Sequence, residues 1–205
     1  MHLEVLKSEQ REIFLKLRRL PEFYLVGGTA LALQIKHRIS IDFDLFSKKN
    51  IPQNLLVKVR RIFSGLKVKV IVNHSEQLSV RIKGIKVDFV KYKFPLVLKP
   101  IIFEGVKIVS IREIAAMKAY TLNQRGTLKD YVDLYFILKE RYSTLERIKK
   151  IAEKKYESEF NFRLFLEQLI YLEDVKEMDI QYIKEPIGKE EIKNFFQKEV
   201  KKIKL

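Results

Sequence analysis

Tyr24-Leu25-Val26-Gly27-Gly28-Thr29-Ala30-Leu31-Ala32-Leu33, and just beyond it His37-Arg38-Ile39-Ser40-Ile41-Asp42-Phe43-Asp44-Leu45-Phe46, decide how this chain is read. The first part is a short strand, Phe23 to Val26, stopped by two glycines and resumed as an apolar helix from Thr29 to Lys36. A strand that ends in Gly-Gly and enters a helix presents bare backbone N–H groups at the positive end of the helix dipole, where an anion can approach closely. Such a turn alone is weak evidence, because many Gly-Gly pairs serve only as turns. The second part alternates strictly, which predicts a strand over 39–46 with Ile39, Ile41, Phe43 and Leu45 on one face and Ser40, Asp42 and Asp44 on the other. Carboxylates at i and i+2 of a strand repel unless something neutralises them, and a hard divalent cation does so well. The alternative is a solvent-facing strand that carries two acids without consequence.

Outward from that stretch, residues 3–19 have the apolar spacing of an amphipathic helix ended by Pro21, and 52–63 suits another. Strands are predicted over 67–72, 78–82 and 85–92, the last two joined by a tight turn at Lys83-Gly84, and a further hairpin flanks Glu104-Gly105. From Ser110 the texture becomes helical. Ser110…Glu113 and Thr127…Asp130 match helix-start capping boxes, and helices are predicted over 111–123, 128–141, 144–156, 160–172 and 189–203. The expectation is an α+β chain: a mixed β-sheet core over 1–110, then a packed helical bundle over 111–205, with a cleft where they meet.

The 205 residues carry 41 Lys plus Arg against 26 Asp plus Glu, a formal charge of +15. The surplus is uneven. Residues 51–100 hold 11 basic and two acidic side chains, whereas 151–205 are nearly balanced. A localised excess points to a polyanionic partner such as nucleic acid; ordinary solvated strand lysines are the alternative. With no cysteine, disulfides, thiolate-bound zinc and thiol catalysis are excluded. No apolar run reaches membrane-spanning length and the first residues lack a signal-peptide core, so a soluble cytoplasmic protein without membrane contact is expected.

Glu76 and Asp88 are the only acids between 51 and 100, and Asp88 lies mid-strand in Lys86-Val87-Asp88-Phe89-Val90-Lys91. It is read either as a third carboxylate of one site with Asp42 and Asp44 or as half of a cross-strand pair with a lysine. Lys118 falls on the apolar stripe of its helix, which means snorkelling or lining a cleft. Asp130 has a sufficient structural task as third residue of the Thr127 box. Tyr131, Leu134, Tyr135 and Leu138 are read as core.

Gly27-Gly28-Thr29, then Ser40-Ile41-Asp42-Phe43-Asp44, then Val87-Asp88-Phe89 resemble the polymerase-β-type nucleotidyltransferase superfamily. Adding Ile114-Ala115-Ala116-Met117-Lys118, Arg125-Gly126-Thr127-Leu128-Lys129-Asp130-Tyr131-Val132-Asp133, Leu169 to Asp174 and the closing helix from Glu191, the chain resembles the AbiEii/AbiGii toxin family over nearly its whole length. The resemblance implies an NTP-dependent nucleotidyltransferase acting on an RNA, a tRNA 3′ end by family expectation, as a toxin restrained by an antitoxin protein. It implies two Mg2+ ions, with Mn2+ as a substitute, held by Asp42, Asp44 and Asp88, with Asp88 as ligand or as base on the acceptor hydroxyl. Gly27, Gly28 and Thr29 would hold the triphosphate, with Ser40 beside them, Lys118 would face the phosphates, and Lys118 and Asp130 would complete the catalytic set. Arg38, read from its residue type alone, is either a phosphate or base contact or a surface arginine. One departure is Lys129, where the family has an arginine; a lysine keeps the charge but not the bidentate fork. One alternative is a catalytically weak nucleotide- or RNA-binding module, and another is nucleotidylation of a protein or small molecule.

Overall fold

Two-residue turns whose central residues both take positive φ match the twist of adjacent antiparallel strands. Lys83 and Gly84 (φ 49° and 82°) and Glu104 and Gly105 (φ 50° and 78°) form two such turns, and they close two hairpins of one seven-stranded sheet. The computed structural model describes residues 1–203. The chain divides into two compact units, one of Met1–Pro95 with Lys99–Val109, the other of Leu96–Leu98 with the chain from Ser110 onward.

The first unit runs α1 (Ser8–Leu17), β1 (Tyr24–Val26), α2 (Gly27–Ile35), β2 (Phe43–Ser47), α3 (Leu55–Ile62), β3 (Val68–His74), β4 (Gln77–Ile82), β5 (Ile85–Lys91), β6 (Ile101–Phe103) and β7 (Val106–Ile108). The strand order is β3-β4-β5-β2-β1-β7-β6. The β2–β5 and β1–β7 pairs are parallel and the others antiparallel. Phe43 and Leu45 of β2 and Val87 and Phe89 of β5 are buried. Phe14 of α1 stacks on Phe43 at 6.5 Å and Phe23 meets Phe89 edge-on at 5.1 Å. The central helix α2 is buried on nearly every side, as its Ala-Leu-Ala-Leu sequence requires.

Two expectations are corrected here. The first helix is not continuous from 3 to 19: Leu3–Val5 is a single 3-10 turn, and α1 begins at Ser8, where Gln10 Oε1 accepts from the Lys7 N–H at 3.2 Å. The strand expected over 39–46 begins only at Phe43, and Ile41 is 48% exposed instead of joining the apolar face. Side chains have taken the carbonyls that a neighbouring strand would need. Gln10 Nε2 donates to the carbonyls of Ser40 (2.8 Å) and Ile41 (2.9 Å), and Thr29 Oγ1 donates to that of Asp42. Asp42 therefore stands on the segment before β2 and not on the strand.

The second unit comprises α4 (Ile111–Leu122), α5 (Leu128–Lys139), α6 (Leu145–Tyr156), α7 (Phe162–Ile170) and α8 (Lys189–Val200). Its core holds Tyr131, Leu134, Tyr135 and Leu138 of α5, as their spacing implies, with Phe165 and Phe196. Tyr120 and Tyr156 stack at 3.9 Å and join α4 to α6. Ser110 caps α4 by accepting from the Glu113 N–H, but the Glu113 carboxylate does not return to Ser110 as a full capping box would have it. It accepts instead from the N–H groups of Val97 (3.1 Å) and Leu98 (2.9 Å) and from Lys155 Nζ (2.7 Å). Those bonds tie Leu96–Leu98 to the helices. Among the described residues no helix is long and apolar enough to cross a membrane.

Candidate active site

Gly27 is both the first residue of α2 and the neighbour of β2, since Val26 pairs with Asp44 in the β1–β2 register. Its φ of +72° is one that side-chain-bearing residues rarely adopt, and an added Cβ would collide with Asp44 Oδ2. Gly28 is limited by space and not by backbone conformation: a Cβ there would lie 2.6 Å from Arg38 Nη2 and 2.8 Å from Ser40 Oγ. The two glycines thus let a carboxylate and a guanidinium lie against the start of one helix. Thr29 Oγ1 reaches Ser40 Oγ at 3.0 Å and the Asp42 carbonyl, fixing the segment before β2. Arg38 is buried and donates from Nη1 to the Ile39 carbonyl at 3.1 Å, so it is not a surface arginine.

Asp44 and Asp88 are direct partners in the parallel β2–β5 register, which puts both side chains on one face of the sheet. Lys86, two residues before Asp88, shares that face, and its Nζ lies 2.6 Å from Asp88 Oδ2. Asp88 is therefore paired along its own strand and not across the sheet. The Lys86 N–H donates to Asp42 Oδ1 at 3.2 Å, which draws the third carboxylate alongside. The hydrogen bond to Asp88 holds the Lys86 ammonium above its usual pKa, with further support from the charges of Asp88, Asp44 and Asp42. Asp88 Oδ1 is buried and has no hydrogen-bond partner among the described residues.

The residues fit a divalent cation in their chemistry: carboxylate oxygens are the hard donors that Mg2+ and Mn2+ take, and Asp88 Oδ1 has an acceptor position unused among the described residues. Among the described residues, however, no three His, Cys, Asp or Glu side chains are drawn together closely enough to hold an ion. Asp44 and Asp88 stand side by side, while Asp42 is exposed on its loop.

Lys118 and Asp130 lie in the second unit. Lys118 Nζ is held between Asp130 Oδ1 and Asp133 Oδ2, both at 2.7 Å, in a nearly buried setting. Asp130 Oδ2 in turn accepts from Thr127 N (3.0 Å) and Thr127 Oγ1 (2.7 Å), so the expected capping box is present. Asp133, fully buried, was not singled out by sequence; its signal is the i,i+3 spacing from Asp130, which places two acids on one helix face opposite a lysine. Gln10 was missed as well, and nothing local in its helix announces bonds to residues 30 positions away.

The basic stretch is more fully paired than its composition implies. Lys83 meets Glu12 at 2.6 Å, Lys91 meets Glu76 at 3.0 Å and Lys93 lies 4.7 Å from the Phe94 ring centroid.

The family model for the nucleotidyl transferase AbiEii toxin of type IV toxin–antitoxin systems matches residues 16–204. An uncharacterized protein of Aquifex aeolicus (strain VF5) is 35% identical over 201 residues, 96% of each chain. Among solved structures, the nucleotidyltransferase toxin MenT4 of Mycobacterium tuberculosis H37Rv superposes with a TM-score of 0.58 at 16% identity, covering 97% of this chain and 86% of that one. JHP933 of Helicobacter pylori gives 0.55 at 18% identity, covering 95% and 93%. At such identities the two structures speak for the fold, and the family match speaks for the chain as a whole. This protein belongs to the AbiEii nucleotidyltransferase toxin family and is an NTP-dependent nucleotidyltransferase.

Proposed function

We propose that this enzyme transfers a nucleoside monophosphate from an NTP to the terminal hydroxyl of an RNA, a tRNA 3′ end by family expectation, as a cytoplasmic toxin held in check by an antitoxin protein. The observation that carries the site assignment is the register that sets Asp44 against both Gly27 and Asp88. In this reading Gly27, Gly28 and Thr29 at the start of α2, with Arg38 and Ser40 beside them, receive the triphosphate, because backbone N–H groups at a helix N-terminus and a buried guanidinium both favour an anion. Asp42, Asp44 and Asp88 hold the divalent cations, Mg2+ or Mn2+, which when bound supply Lewis-acid stabilisation of the phosphoryl oxygens. The acceptor oxygen bonds to the α-phosphorus, the bond from that phosphorus to the β-phosphate bridge breaks, and pyrophosphate leaves. The hydroxyl proton passes to Asp88 where that residue acts as base, or to solvent where it is a metal ligand. Lys118 and Asp130 enter through the family alone, since in their own unit they are engaged with each other.

The RNA acceptor is supported by the net charge of +15 and by its concentration in residues 51–100. Exposed pairs such as Lys83–Glu12 are worth little, so these lysines can exchange a carboxylate for a phosphate at small cost. Purified protein incubated with each labelled NTP, total RNA and Mg2+ tests the reading. Label appearing in RNA bears it out; label confined to protein or to a small molecule, or none transferred, contradicts it.

A further inference from the structure

One ammonium stands among three carboxylates. Lys86 bonds to Asp88 Oδ2 through its side chain and to Asp42 Oδ1 through its backbone, while Asp44 is the register partner of Asp88. The pairing is asymmetric in exposure: the Lys86 side chain is 37% exposed, the Asp88 side chain 12%. A lysine on a flexible four-carbon stem can swing to solvent without disturbing its strand. Asp88 cannot. If the ammonium leaves, a largely buried carboxylate, one oxygen of which has no hydrogen-bond partner among the described residues, loses the cation paired with it, and burial of an unmatched charge is costly. Departure of the ammonium is therefore favoured when another cation takes its place.

We propose that Lys86 is the built-in counter-ion of the carboxylate site: it holds Asp88 in place while no metal is bound, yields that position to a divalent cation, and then turns to the phosphates that enter with the metal. The inference rests on the reading that these carboxylates hold the metal. It makes Lys86 a positioning residue that couples two binding events. Metal alone must displace a cation that gains nothing by leaving, whereas metal arriving with a triphosphate gives the displaced ammonium an anion to meet. Lys86 thus weakens binding of free metal and strengthens the mutual dependence of metal and nucleotide, a reciprocal coupling.

Mn2+ titrations of the full chain followed by electron paramagnetic resonance, with and without a non-hydrolysable NTP analogue, test this in the parent, Lys86→Met, Lys86→Arg and Asp44→Asn proteins. Lys86→Met keeps the stem and removes the charge, and it is expected to bind Mn2+ roughly tenfold more tightly without nucleotide. The gain in Mn2+ affinity on adding the analogue should shrink by a similar factor. Lys86→Arg keeps the charge and should resemble the parent. If the parent binds Mn2+, Asp44→Asn does not, and Lys86→Met matches the parent or binds more weakly, the counter-ion role is overturned while the carboxylate site stands. If the parent and Asp44→Asn bind Mn2+ alike, the carboxylate reading falls and this inference with it.

Discussion

The charged clusters of the two units are balanced differently. In the second unit, Glu113 and Lys155 are wholly shielded from solvent, and the Glu113 carboxylate accepts from two backbone N–H groups as well as the ammonium. Lys118 is likewise shared by Asp130 and Asp133, and the remaining oxygen of Asp130 is used by Thr127. In the first unit, the Lys86 ammonium pairs with Asp88 and its backbone N–H with Asp42, and among the described residues Asp88 Oδ1 is buried without a hydrogen-bond partner. A buried charge must be compensated, and where the chain supplies the compensation the result is architecture. Where the chain leaves it incomplete, a ligand has something to gain by binding. The first kind of cluster holds a segment in place; the second kind is where chemistry is expected.

Several substitutions can break that contrast. The largest effect on stability should come from Glu113→Gln, which leaves the Lys155 ammonium buried without its counter-charge and loosens Leu96–Leu98. Loss of one partner from a buried pair costs about 3–5 kcal/mol, to be read from chemical denaturation. The double substitution Glu113→Gln, Lys155→Met should recover much of it, and failure to do so would mean the pair is not the fastening described. Asp44→Asn should act the other way: its shape is retained, so the melting temperature should stay near the parent's, while transfer should fall by roughly a hundredfold or more, beyond what loss of an outer partner of a metal ligand costs. Full activity in this variant would remove Asp44 from the site.

A smaller effect is expected of Gly27→Ala. A positive φ with a side chain costs about 1–2 kcal/mol, and the added methyl pushes on Asp44 Oδ2, so activity should drop more than stability does. Equal activity would show that the close approach of glycine and carboxylate has no bearing on the reaction. The effect confined to the narrowest conditions is one of pH. Burial, aided by the charge of Asp130, raises Tyr131 from 10.0 to about 12. Between those values the unfolded chain has released a proton that the folded chain keeps, so stability falls as pH rises through that window. Tyr131→Phe lacks this contribution, and its stability should decline less steeply there, whatever its starting value.

The legible parts of the fold were those set by neighbours in sequence. The turns at Lys83-Gly84 and Glu104-Gly105 and the Thr127–Asp130 cap are local, and they stand where spacing puts them. The start of β2 was misread because strict alternation over 39–46 looks the same whether its carbonyls meet a strand or a side chain. Only the fold brings Gln10 to Ser40 and Ile41. The same holds for Glu113, whose position three residues after Ser110 suggests a cap although its partners lie at 97, 98 and 155. At the candidate site, residue types were readable and register was not. Nothing in the sequence states that Asp44 pairs with Asp88 in register, whereas the place of Lys86 on the face of Asp88 follows from their i,i+2 spacing.

The central claim is that the carboxylates of the first unit are the ones left for a metal and its nucleotide. Crystals of the full chain grown with Mn2+ and a non-hydrolysable NTP analogue, with anomalous scattering collected to locate the metal, test it directly. The account predicts a manganese peak at about 2.1 Å from carboxylate oxygens of Asp44 and Asp88, with the triphosphate against Gly27 and Gly28 and the Lys86 ammonium moved off Asp88. Manganese and nucleotide bound elsewhere, with the Lys86–Asp88 pair intact, would contradict it.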